Sequence, residues 1–203
     1  MFSTPASPPS TWLAPSRCSS APGVDPVFVA LEPGPVLDDS GHCPLQATQG
    51  VTDVMAADVV VVLGSDAGLE PNASLLAWLQ LVHPTTSWTA SVGTGSLYLA
   101  AAGLLACGEA ATHWASAEKL RRFSVRYSDQ RVVRHGKIIT AAGSSAGIDM
   151  ALTLVGLTHG PAVAQAVQLA IQYDPEPPFD AGSPAKAPTQ IGELVHAYYT
   201  HRN

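Results

Sequence analysis

The sequence predicts an α/β three-layer sandwich on a mostly parallel sheet, and three observations carry that prediction. Short β-branched runs alternate with helical patterns from residue 27 onward. One of them, ADVVVVLG at 57–64, is apolar without interruption, as a strand covered on both faces must be. Another, TTSWTASV at 85–92, runs into the turn Val92-Gly93-Thr94-Gly95 and then into small and apolar residues that read as a helix. That turn has the form of a nucleophile elbow but carries no nucleophile.

The elements follow in order. VFVAL (27–31) reads as a strand, then ADVVVVLG. LEPNASLLAWLQLVH (69–83) reads as a helix by the spacing of Leu75, Leu76, Leu79 and Val82. After the elbow and its helix, ATHW (111–114) reads as a short strand and ASAEKLRRF (115–123) as a helix. QRVVRHGKIIT (130–140) reads as a hairpin turning at His135-Gly136. SSAGIDMALTLVGLTHG (144–160) has Ser at its start and Gly at its end, and Pro161 opens the helix PAVAQAVQLAIQY. An extended stretch, DPEPPFDAGSPAKAP, leads to a final amphipathic helix, TQIGELVHAYYTH. In such sheets ligands sit beyond the carboxyl ends of the strands. Those ends are Gly64, Gly93 and the loop Ala142-Gly143-Ser144.

With 203 residues, 46% of them hydrophobic, the chain can build one full-sized core. Its 16 acidic and 10 basic residues leave a formal charge of -6, and the cations are scattered, which argues against a nucleic-acid surface. Three cysteines, Cys18, Cys43 and Cys107, have no paired spacing, so neither a disulfide framework nor a zinc site is indicated, and no metal or cofactor is expected. A reducing, cytoplasmic setting fits. No run reaches the roughly 18 apolar residues of a membrane span, and the opening residues lack a signal-peptide core.

Five segments taken together carry a resemblance. VVLG (61–64), SVGTGSLYLAAAGLL (91–105), ATHWA (111–115), DQRVVRHGKIITAAGSSAGIDMALTLV (129–155) and AIQYDPEPPFDAGSPAKAP (170–188) resemble the ThiJ/PfpI branch of the class I glutamine amidotransferase-like superfamily, and within it the isocyanide (isonitrile) hydratases. The resemblance implies a flavodoxin-like sandwich, a homodimer, and a small-molecule substrate. It also implies an elbow cysteine that attacks the isonitrile carbon, with water and an N-terminal Asp completing an N-formamide. A thiol at a helix start is favoured as thiolate by the dipole and free amides, and nearby amides steady developing negative charge.

The chain departs from that pattern in three places. Where the family reads S-V-C-T-G, this chain has Ser91-Val92-Gly93-Thr94-Gly95, so Gly93 stands at the nucleophile position. Thr94 has no candidate base within its motif. Where the family reads P-G-G, the chain has Leu63-Gly64-Ser65, which alters the oxyanion loop. Gly64, Ser65, Gly95 and Asp149 are the expected oxyanion and pocket residues. Removing the nucleophile of a triad enzyme costs about a millionfold in turnover, so hydration is expected to be impaired.

The third departure is the Pro/Ser-rich segment 1–20, where the family's first strand, turn, Asp and helix are missing or scrambled. One synonymous encoding of residues 1–18 with two bases of Ser19, read from the third base of the Met1 codon, spells VLYPGFTAVDLAGPFEVL. That peptide resembles the family's opening, and its Asp codon straddles Ser10 and Thr11. Residues 1 to about 19 are therefore expected to be an out-of-frame reading, with the domain proper spanning 21–203.

Bland roles compete for several residues. Gly93 alone could be an ordinary tight turn. Cys107 and Cys43 read as loop or strand thiols, His113 as a structural histidine beside the site, and Trp88 and Trp114 as core or dimer-interface aromatics. Asp149 also suits a helix start, where an acid complements the dipole. A non-catalytic small-molecule-binding module, a decayed gene product and the ligand domain of an AraC-type regulator are the rival readings. The last would need a basic helix-turn-helix after the sandwich, and none is read before Asn203.

Overall fold

The computed structural model describes residues 23–38, 42–65 and 72–202, with side chains to residue 198. Segment 1–20, Cys18 and the expected start of the helix at 69 lie outside the described residues.

The central sheet contains β5 (Val59–Leu63), β6 (Trp88–Val92), β9 (Val132–His135) and β10 (Ile138–Ala141) in the order β5-β6-β10-β9. β5 and β10 flank β6 in parallel, and β9 closes the edge antiparallel. The uninterrupted apolar run is explained by its two faces. Val60 and Val62 enter one core, with Leu75, Trp78 and Leu79 of α1 (Ala73–Val82) and Leu97 and Leu99 of α2 (Gly95–Ala101). Val61 and Leu63 enter the other, with Met150 and Leu154 of α4 (Ala146–His159). Helices thus cover both faces of the sheet, giving the three expected layers, and α5 (Pro161–Ala170) packs outside α4 through Val155 and Val167.

Several expectations shift in detail. In α1, Trp78 rather than Leu76 is fully buried, and Asn72 caps the helix by accepting from the Ser74 and Leu75 amides at 2.9 and 3.2 Å. The strand expected at 111–114 is instead β7 (Glu109–Ala110), paired parallel with β8 (Arg126–Tyr127). The Ala111 amide leaves the ladder to donate to Thr140 Oγ1 at 2.8 Å, and 114–116 wind into a 3₁₀ turn before α3 (Ala117–Arg121). The helix expected over 161–173 stops at 170, because Gln172 takes a positive φ of 50°.

The strand read at 27–31 keeps only Val29–Ala30 (β1), paired parallel with β4 (Gln49–Gly50). Between them lies an unforeseen antiparallel hairpin, β2 (Gly34–Leu37) with β3 (Pro44–Ala47). At the start of the sheet, Lys137 Nζ donates to the carbonyls of His83 and Thr86 at 2.5 and 2.8 Å. His83 Nδ1 lies 2.8 Å from Thr89 Oγ1. No helix among the described residues is long and apolar enough to cross a membrane.

Candidate functional site

β6 ends at Val92, and the chain reverses through Gly93 into α2. Gly93 has φ +57°, the left-handed region that L side chains rarely adopt. Apart from its chain neighbours, no described residue has a heavy atom within 4 Å of where a β-carbon there would stand. The corner is held firmly nonetheless. The Gly93 amide donates to Ala141 O at 3.0 Å, fixing it to β10. Its carbonyl accepts from Ser96 Oγ at 3.1 Å and from Thr112 Oγ1 at 3.2 Å.

Gly64, Ser65, Gly93, Thr94 and Gly95 come together at this corner. A β-carbon on Gly95 would lie 2.2 Å from Val62 O, and one on Gly64 would lie 2.6 Å from the Thr94 amide nitrogen. Only glycine lets the end of β5 and the start of α2 approach so closely. The Ser65 amide donates to Thr94 Oγ1, and the Thr94 hydroxyl donates to Ser65 O. Thr94 is therefore a clamp between the two loops, and the Ser65 amide is already engaged and is not a free oxyanion donor.

Asp149 takes another part. Its carboxylate accepts from Arg131 Nε and from the Tyr173 hydroxyl, each at 2.6 Å, and no hydrogen bond joins it to Gly93, Thr94 or Ser65. It ties α4 to the chain before β9 and after α5. Burial, and then the Asp149 hydrogen bond and charge, raise the Tyr173 pKa, so the phenol stays protonated and donating. Burial opposes the Arg131 charge, but Asp149 outweighs it and raises that pKa too.

Thr112 and Ser96, the hydroxyls on the Gly93 carbonyl, were not singled out in the sequence. Ser96 had one local signal, a hydroxyl three residues after the corner; Thr112, 19 residues away, had none. Ser91, two residues before the corner, is fully buried and its hydroxyl has no hydrogen-bond partner. His113 stacks at 5.7 Å on Trp114, which meets His196 edge-on at 4.7 Å. Trp88 lies under the Arg134 guanidinium at 4.7 Å. Cys107 is exposed in a turn, and Cys43 is half-buried beside β3. Among the described residues no three His, Cys, Asp or Glu are placed to hold a metal ion.

A family model described as the DJ-1/PfpI family matches residues 13–157. The chain belongs to the DJ-1/PfpI family. Isonitrile hydratase of Pseudomonas putida is 39% identical over 176 residues, which cover 85% of this chain and 76% of that protein. The HTH-type transcriptional regulator CdhR of Pseudomonas aeruginosa is 30% identical over 154 residues, covering 71% of this chain but only 43% of the regulator. The crystal structure of a ThiJ/PfpI family protein from Pseudomonas syringae superposes with a TM-score of 0.90 at 29% identity, covering 100% of this chain and 86% of that one. The flavodoxin-like α/β layering of this DJ-1/PfpI member agrees with that likeness.

Proposed function

We propose that this chain is an isonitrile-hydratase-like DJ-1/PfpI protein that keeps the elbow but not the nucleophile, so that hydration of isonitriles to N-formamides is impaired. The observation that carries the reading is Gly93, with φ +57° and no described residue beyond its chain neighbours within 4 Å of where a side chain would start. A left-handed corner between strand and helix holds a side chain outward, and a glycine has none to present. On the same reading residues 1–20 are out of frame, which removes the family's acidic partner. The protein acts as a cytoplasmic homodimer on a small molecule, without nucleic acid, membrane or cofactor.

The test is Gly93→Cys in a chain whose N-terminus carries the shifted sequence, assayed with a simple isonitrile for N-formamide by mass spectrometry. The restored chain is expected to form product and the present chain to form almost none. A restored, folded chain without product would refute the reading.

A second reading is a non-catalytic small-molecule-binding or regulator-type domain, favoured by the likeness to a transcriptional regulator. A ligand that binds only the native state raises the melting temperature, so thermal-shift screening of the intact chain separates this reading from a decayed gene product with no ligand at all.

A further inference from the structure

A cavity of about 300 Å³ lies where β7 and β8 meet β9. It is distinct from the elbow. None of the corner residues lines it, and His135 on its wall pairs with Ile138, the first residue of β10, whereas the Gly93 amide is bonded to Ala141, the last. The walls bring a thiol, Cys107, together with Arg126, Arg134 and His135. A turn closed by the Gly108 amide on Leu105 O at 3.0 Å carries Cys107 there, exposed, and the Gly108 carbonyl accepts from the Arg126 amide at 2.9 Å. A β-carbon on Gly108 would lie 3.3 Å from His135 Cδ2, so the imidazole rests against the residue next to the thiol.

The two arginines differ in how their charge is answered. The Glu109 carboxylate accepts from Arg126 Nε and Nη2 at 3.1 and 2.7 Å. Arg134 gives its Nε to Gly136 O at 3.2 Å and lies over Trp88, and no carboxylate pairs with it among the described residues. The cavity therefore keeps a positive balance in a chain whose formal charge is -6.

We propose that this cavity is a modification site, at which Cys107 exchanges with an anionic low-molecular-weight disulfide and keeps one arm as a mixed disulfide. The Cys107 sulfur attacks as thiolate on one sulfur of the reagent. A new S–S bond forms, the old one breaks, and the released arm leaves as thiolate and takes up the proton that Cys107 gave. The disulfide is the only oxidant required, and excess small thiol reverses the step. Charge selects the reagent: an acidic chain repels anions over most of its surface, while Arg126 and Arg134 raise their concentration here. The volume is at the lower end for small-molecule sites, room for one peptide-sized arm. Cys43 has the opposite setting, half-buried with its amide on the Asp38 carboxylate at 2.8 Å.

The test exposes the reduced full chain to glutathione disulfide, a net anion, or to cystamine, a dication, and follows each cysteine by mass-spectrometric peptide mapping. The ratio of the glutathione rate to the cystamine rate is expected to be about tenfold higher at Cys107 than at Cys43. Arg134→Gln, at an exposed position, is expected to lower the Cys107 ratio about threefold, with unchanged far-UV circular dichroism and no change at Cys43. In the wild type, about 0.5 M sodium chloride is expected to lower it similarly. An unmodified Cys107, equal ratios at the two cysteines, or a Cys107 ratio indifferent to Arg134→Gln or to salt overturns the proposal.

Discussion

Thr94 and Ser65 hold each other through two hydrogen bonds, the Ser65 amide giving to Thr94 Oγ1 at 2.8 Å and the hydroxyl returning to Ser65 O at 2.9 Å. A single side chain thereby locks the loop after β5 to the corner before α2. Thr94→Val removes both bonds that tie Thr94 Oγ1 to the backbone of the buried Ser65. Urea unfolding is expected to register a loss of about 2 kcal/mol, most of it recovered in Thr94→Ser.

The three corner glycines should respond differently to alanine. Gly93→Ala has room and meets only the left-handed φ, so it is expected to cost about 1 kcal/mol. Gly95→Ala sets a β-carbon 2.2 Å from Val62 O, and Gly64→Ala sets one 2.6 Å from the Thr94 amide nitrogen. Backbone must move in both, and losses beyond about 4 kcal/mol are expected. Thermal unfolding of the three variants checks the order.

His83 makes stability depend on mild acid. Burial first, and the Lys137 charge second, hold its pKa below the ordinary imidazole value of about 6.5. The native state thus resists a proton that the unfolded chain accepts, and stability present above pH 6.5 is lost as pH falls toward the lowered value. The melting temperature is expected to decline between pH 7 and 5, with a shallower decline in His83→Asn.

Asp149 is expected to act as a brace. Asp149→Ala should cost about 1 kcal/mol, since the pair with Arg131 is partly exposed. It should also lower the ultraviolet titration midpoint of Tyr173, because one of the causes raising that pKa is removed. Arg131→Ala on top of Asp149→Ala should add little further loss. Full additivity would dissolve the brace.

The nucleotide sequence of the gene decides the reading of residues 1–19. Its codons there are expected to spell the strand, turn, Asp and helix when read from the third base of the Met1 codon. Codons that cannot be shifted into that pattern end the proposal.

What was legible in the sequence was whatever periodicity or punctuation writes locally. The run at 59–63 is continuous because both faces of β5 are covered, and the Gly160-Pro161 step separates α4 from α5 as read. The elbow was legible because strand, glycine turn and helix are contiguous. The β2–β3 hairpin was not, since Pro35 sits inside β2 and Pro44 opens β3, and among the described residues the two strands pair only with each other. The Thr94–Ser65 clamp joins residues 29 apart, and Asp149 meets Tyr173 across 24. Neither separation leaves a local trace, so Ser65 read as an oxyanion residue and Asp149 as a helix-start acid or a pocket residue; its place in the first turn of α4 fits the former.

The chain has three lysines, and Lys137 holds its ammonium against two carbonyls while Lys119 and Lys186 are exposed, Lys186 in a surface pair with Asp180. An acylating reagent must reach the amine nitrogen, and that of Lys137 is half-buried and turned onto the His83 and Thr86 carbonyls. Dyes or surface-coupling esters will therefore decorate the other two side chains first, so the protein can be labelled or immobilised without disturbing the foot of its sheet.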